Sequence, residues 1–278
     1  MSDQNIPSDN DNEREMTFWD HLDELRKVLV RIVAAALLFG CVVLLLKDQI
    51  FKAILAPTEG DFITYRLINR LLEYLGMTSM LIPSNNITLI NTELAAQFMT
   101  HISVSFIIGL LATAPYIIYQ LFLFIKPALY DNERRNSGRI LTAVVLLFYL
   151  GVVVDYFVIF PISVRFLGTY QVDPSVANTI TLSSYISTFT TLSLMMGVVF
   201  EVPVLVYFLT RMGIISSALL KKYRRHSFIV ILIISAIITP PDVFTLILMC
   251  LPLYGLYEVG IVIARRVERR KAALQKEE

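Results

Sequence analysis

Acidic side chains in unusual places are the residues of this sequence most able to do chemistry. Glu201 lies inside an apolar run, in Phe200-Glu201-Val202-Pro203. A charge at the centre of a bilayer costs roughly 2.5–3.5 kcal/mol on insertion scales, so such a group should face protein or be protonated. Pro203 lacks an N–H and frees a carbonyl one turn earlier, which makes a polar notch at the same point. Two readings fit: an interhelical hydrogen bond satisfied within the fold, or a docking or proton-linked site. Glu258 raises the same question in a later apolar run, where Arg265 and Arg266 are near enough to pair with it. Glu24, in His21-Leu22-Asp23-Glu24-Leu25-Arg26, and Glu133, in Tyr130-Asp131-Asn132-Glu133-Arg134-Arg135, lie just outside apolar runs. On charge pattern alone they read as surface charges near helix ends, with Asp131 or Asn132 able to cap the next helix.

The chemistry these residues do not offer is equally informative. The chain has no HExxH, GxSxG, Walker or Rossmann glycine pattern. His21, His101 and His226 are scattered and make no ligand cluster, and no metal or other cofactor is expected. Asp155 and Asp242 could be imagined as an aspartyl pair, but both fall at an outer membrane edge. Cys41 and Cys250 sit in apolar runs and read as small buried hydrophobes. The chain therefore does not read as an enzyme. Its net charge of +1 argues against coating nucleic acid.

These residues must be positioned by membrane-spanning elements. Of 278 residues, 56% are hydrophobic and only 17% charged, where a soluble domain has about 25% charged. Crossing the hydrocarbon core takes about 20 apolar residues. Val28–Leu46, Ile102–Ile125 (bent by Pro115), Ile140–Ser163 and Tyr185–Thr210 (interrupted at Glu201 and Pro203) fit. Two linked runs follow, Phe228–Thr239 and Val243–Ala264, joined by Thr239-Pro240-Pro241-Asp242. The first is only a dozen residues, so a re-entrant segment or buried helix is possible; a short fifth helix paired with a sixth under a locally thinned bilayer is preferred. Six spans put both termini on one side. With the N-terminus inside, nineteen of the 24 Lys and Arg fall on inner segments, leaving Lys47, Lys52, Arg66, Arg70 and Arg165 outside. Residues 1–17 read as a disordered inner tail without signal-peptide features, and residues 266–278 as an inner C-terminal tail, helical before fraying. The long outer segment, about 47–101, contains RLINRLLEYL at 66–75, whose periodicity predicts a helix at or above the outer surface.

Five stretches carry a resemblance: HLDELR (21–26), LAP (55–57), YQLFLFIKPALYDNERR (119–135), FEVP (200–203) and TPPDVF (239–244). Together, in order across residues 18–265, they resemble the TatC family, the polytopic subunit of the twin-arginine (Sec-independent) translocase. The resemblance implies an all-α polytopic protein of the bacterial inner membrane. Its six transmembrane helices would form a concave, glove-shaped bundle with short fifth and sixth helices and both termini cytoplasmic. It also implies a signal-peptide receptor that exports folded precursors on the proton-motive force. In the family pattern Glu24 and Glu133 form the patch that reads the paired arginines. The chemistry agrees, because a guanidinium is planar, always charged and matched to a carboxylate in a two-pronged fork. Arg26, Phe124, Pro127, Arg134 and Arg135 match positions that shape the site. Glu201 and Pro203 match the intramembrane docking position for single-span partners of the TatA and TatB type, and Pro57 and Asp242 match outer-face structural positions. Further implied partners are precursors with twin-arginine signal peptides, membrane lipids and other copies of the chain. Two features depart from the family pattern: the outer segment between the first two spans is longer, and Asp23 sets a second acid beside Glu24.

Two other classes compete. In a secondary transporter, Asp155, Glu201 and Glu258 would form a relay, but the halves lack the paired symmetry usual there. A purely structural scaffold would make Glu24 and Glu133 dispensable.

Overall fold

A computed structural model describes residues 18–125, 137–173, 175 and 178–277. Helix α1 (Phe18–Leu45) is followed by α2 (Lys47–Leu55) and α3 (Ile63–Tyr74) on the long connection, then by α4 (Ala96–Ile125). The third long helix runs as α5 (Ser137–Val154), a π-helical turn at Asp155–Ile159, and α6 (Phe160–Thr169). The fourth is α7 (Leu182–Val199) and α8 (Val202–Arg211), broken at Phe200 and Glu201. The chain ends with α9 (Ser217–Lys222), α10 (Arg224–Ile238) and α11 (Val243–Glu277). Among the described residues the only strands are the two-residue β1 (Leu89–Ile90) and β2 (Ile180–Thr181), which pair in parallel and tie together the two connections at one end of the bundle.

Five of these helical stretches are long and apolar enough to cross a bilayer: Leu22–Leu45, Ala96–Phe124, Ile140–Thr169, Leu182–Arg211 and Val243–Ala273. Their outer faces are apolar as well. On α1, Val28, Ala36 and Val43 are buried while Val30, Val33, Leu37 and Leu38 are exposed. An apolar surface that continuous would drive aggregation in water; in lipid it is the solvated side.

The remaining stretch, α10, differs from the dozen residues expected, because it starts four residues earlier, at Arg224. Its 15 residues span about 22 Å, still less than the hydrocarbon core. The helix expected to be a short sixth is instead the first part of the 35-residue α11. Beyond Ala264 the sequence is Arg, Glu, Lys, Ala, Leu and Gln with a single Val267 and without Gly or Pro, so nothing there stops helix propagation.

α1 and α4 pack antiparallel. Gly40 and Gly109 let the backbones touch, since a Cβ at Gly109 would come within 2.5 Å of the Gly40 nitrogen. Farther along, the Phe51 and His101 rings meet edge-on at 5.8 Å, which fixes the opposite chain directions. The main core lies where α6, α7, α10 and α11 converge, around Phe160, Tyr185, Phe189, Leu192, Met196, Met249 and Leu253.

Pro161 dictates how the cap carrying α3 attaches to the bundle. Having no N–H, it cannot bond the carbonyl of Phe157 one turn before. The Thr64 hydroxyl of α3 donates to that carbonyl instead. The neighbouring Tyr65 hydroxyl sits 2.8 Å from the Pro57 carbonyl and 2.9 Å from that of Pro161, so one O–H serves two acceptors in turn. Arg165 lies over the Tyr65 ring, 4.8 Å from its centroid, and donates to the carbonyls of Pro83 and Asn85. The helix expected over residues 66–75 is thus present, slightly earlier in the chain, and clamped to the third long helix.

Candidate functional site

Glu24 lies in the first turns of α1 and is half-buried. One of its carboxylate oxygens is shielded from solvent with no hydrogen-bond partner among the described residues. The close approach of Gly40 and Gly109 fixes what stands beside it. Sixteen residues lead from Gly40 back to Glu24, and sixteen from Gly109 forward to Ile125. In an antiparallel pair the two ends therefore lie level, and Glu24 is set beside the end of α4 that carries Phe124. Arg26 is exposed on the same turn of α1. Glu133, Pro127, Arg134 and Arg135, with the capping candidates Asp131 and Asn132, lie outside the described residues.

Glu201 occupies the break in the fourth span, at the N-cap of α8, without capping a backbone N–H. Both carboxylate oxygens are buried. A backbone group of Phe148 is nearby, but neither oxygen makes a well-formed hydrogen bond among the described residues. Pro203, buried in the first turn of α8, lacks the N–H that would bond the Val199 carbonyl one turn back, so the hydrogen-bond ladder is interrupted where α7 ends. Beside it lies an apolar groove of about 320 Å³, lined by Val199, Val202, Ile231, Ile234, Leu253 and Tyr257 among others.

At the opposite end, Pro57 is fully buried and its carbonyl faces the Tyr65 hydroxyl. Burial pushes the Tyr65 phenol up to about 12, with the Arg165 cation opposing the shift. One oxygen of Asp242 accepts the Thr245 N–H at 2.6 Å, capping α11 just after the double proline.

Two expectations need correction. Glu258 pairs with Arg224, at 2.8 Å across the α10–α11 hairpin, rather than with Arg265 or Arg266. Those two arginines follow Glu258 on its own helix, whereas Arg224 reaches it from the neighbouring one. Cys41 is exposed on the outer face of α1; only Cys250 is buried. Asp155 and Asp242 act separately: Asp155 is completely buried in the π-helical turn, where the Ser193 hydroxyl of α7 donates to it at 2.6 Å.

The Asp155–Ser193 pair, the Thr64–Tyr65 clamp and Arg165 are sites the sequence did not reveal as such. The lone signals were an acid in an apolar run and a proline in a helix; their partners lie 38 to 96 residues away in the chain. Among the described residues no cluster of His, Cys, Asp and Glu could hold a metal ion.

Comparison with known proteins agrees with this geometry. Residues 20–252 match the family model described as Sec-independent protein translocase protein (TatC). The Sec-independent protein translocase protein TatC of a Blattabacterium from Periplaneta americana is 39% identical over 260 residues, covering 92% of this chain and 98% of the relative. The TatC of Escherichia coli K12 is 36% identical over 246 residues, 88% of this chain and 86% of its own length. A crystal structure titled twin arginine translocase receptor TatC superposes with a TM-score of 0.71 at 28% identity, covering 89% of this chain and 99% of that one. With its long apolar helices, its broken fourth span and its match over most of its length, this chain is a multi-pass membrane protein of the TatC family, a transport component and not an enzyme.

Proposed function

We propose that this chain is the signal-reading subunit of a twin-arginine translocase, and that Glu24 and Glu133 each take one guanidinium of an incoming arginine pair. The observation that carries this reading is the register of α1 on α4, which sets a half-buried Glu24 level with Ile125, eight residues before Glu133. One oxygen of Glu24 has no partner among the described residues. The name of the matching crystal structure, a twin arginine translocase receptor, points the same way. A hydrogen bond to a charged group contributes roughly 1.5–3 kcal/mol, so removing either carboxylate weakens peptide binding about 10- to 100-fold. Arg26, Phe124, Pro127, Arg134 and Arg135 shape this patch.

In this reading α10 is a sixth, short span, both termini are cytoplasmic, and the membrane is the bacterial inner membrane. The bias of nineteen of 24 basic residues supports the orientation. Glu201 and Pro203, with the adjoining apolar groove, receive the helix of a single-span partner of the TatA or TatB type. A carboxyl beside lipid gains from a polar group on such a helix. Pro57 and Asp242 hold the outer loops in shape. Folded precursors with twin-arginine leaders are the cargo, several copies of the chain share the complex, and the proton-motive force drives transport.

The test is photocrosslinking of a twin-arginine signal peptide to probes near residues 24 and 133 in native membranes. Crosslinking should fall strongly for Glu24→Ala and Glu133→Ala, and for a peptide whose arginines are lysines, which keep the charge but lose the fork. Equal crosslinking by the lysine peptide overturns the recognition scheme. Glu201→Ala should leave peptide crosslinking nearly unchanged and reduce co-purification of the single-span partner; an intact partner complex rejects its docking role.

A further inference from the structure

The amphipathic helix α3 leaves one face unclaimed by the protein. Thr64 and Tyr65 point into the third long helix, and Asn69 is held by two hydrogen bonds to the backbone of Ile82. The remaining arc carries Ile63, Leu67, Leu71, Tyr74 and Leu75 at helical spacing. All are exposed, Leu67 and Leu71 by 59% and 58% and Tyr74 by 89%. Arg66 and Arg70, also exposed, run along one edge of this stripe, four residues apart.

The depth of the clamp identifies what covers the stripe. The third membrane-crossing stretch begins at Ile140, just after Arg139. Phe157 and Pro161, whose carbonyls hold α3, follow by 17 and 21 residues. At about 1.5 Å per residue they lie about 26–32 Å above that start, against a hydrocarbon core of about 30 Å. α3 is therefore fixed at the level where acyl chains meet headgroups. Its apolar stripe also adjoins a surface already facing lipid: Phe157 and Val158 are exposed on the third helix, and Phe62, just before α3, stacks on Phe157.

We infer that α3 is an interfacial anchor, with Ile63, Leu67, Leu71, Tyr74 and Leu75 in the acyl boundary of the outer leaflet and Arg66 and Arg70 on lipid phosphates. Apolar side chains on one face with arginines at the edge are the composition that holds a helix in the plane of a membrane surface. The anchor binds the cap to the bilayer as well as to the bundle.

The test uses the full chain with Cys41→Ser and Cys250→Ala, reconstituted in phosphatidylethanolamine–phosphatidylglycerol bilayers. Single cysteines replacing Leu67, Leu71 or Glu73 carry an environment-sensitive fluorophore. Only variants whose thermal unfolding matches that of the cysteine-free chain are scored. Labels at 67 and 71 should be quenched several-fold more by lipid bearing a nitroxide high on the acyl chain than the label at 73, with the order reversed for aqueous iodide. Iodide quenching at 67 and 71 equal to that at 73 makes α3 a solvated helix and overturns the inference. Protection of 67 and 71 from both quenchers puts a protein on the stripe, either a second copy or another subunit, and overturns it equally.

Discussion

Asp155 shows how a buried acid in this bundle depends on one neighbour. The Ser193 hydroxyl is its sole hydrogen-bond donor among the described residues, and its other carboxylate oxygen is buried without a partner. Ser193→Ala therefore strands a polar group and should cost about 1–3 kcal/mol. Replacing both residues, with Asp155→Val and Ser193→Ala, should recover much of that loss; thermal unfolding in detergent distinguishes the two. Tyr65 gives a second expectation, in pH. Its folded value lies near 12, above the ordinary 10, so its contribution is intact below pH 10 and is lost as pH rises toward 12. Protease sensitivity of the cap should climb across that window, and Tyr65→Phe should remove the alkaline phase while loosening the cap at neutral pH. Glu201 was legible from sequence because a charge interrupts an apolar run. Ser193 was not, because a serine in a helix of serines and threonines gives no sign of which one meets an acid on another helix.

Between α1 and α4, contact depends on the absence of side chains. Gly109→Leu places atoms where the Gly40 backbone stands and should cost about 1–3 kcal/mol or more, because neither backbone can yield without the other. Gly255→Ala in α11 meets nothing within 4 Å and should instead stabilise by about 0.5–1 kcal/mol. Chemical unfolding of the two variants side by side checks the contrast. The long helices were readable as apolar runs, and the break in the fourth span as a proline after an acid. The continuation of α11 into the helical tail expected after Arg265 was readable too; its contacts with the turn between α8 and α9 were not, because a mixed-charge run does not show which segment it meets. The attachment of α3 escaped for another reason: Pro161 announces an unpaired carbonyl, but its Thr64 donor lies 93 residues from Phe157.

Seen as a whole, the chain is stiff at both ends of the bundle. At one end α3 and the β1–β2 pair are pinned to the third and fourth spans. At the other, α11 continues past Ala264: Glu268 accepts the Ser217 N–H at 2.6 Å and also its hydroxyl, and the Lys271 ammonium donates to the Arg211 carbonyl. The turn between α8 and α9, and with it the lower half of the broken fourth span that begins at Glu201, is braced by residues that hydropathy alone assigns to a tail. Shortening the chain at Ala264, where its last apolar run ends, would therefore not be a trim: it would remove a buttress, and the damage would surface far along the chain from the cut, around Glu201. A purification handle or reporter belongs well beyond Lys271, clear of the residues that brace that turn.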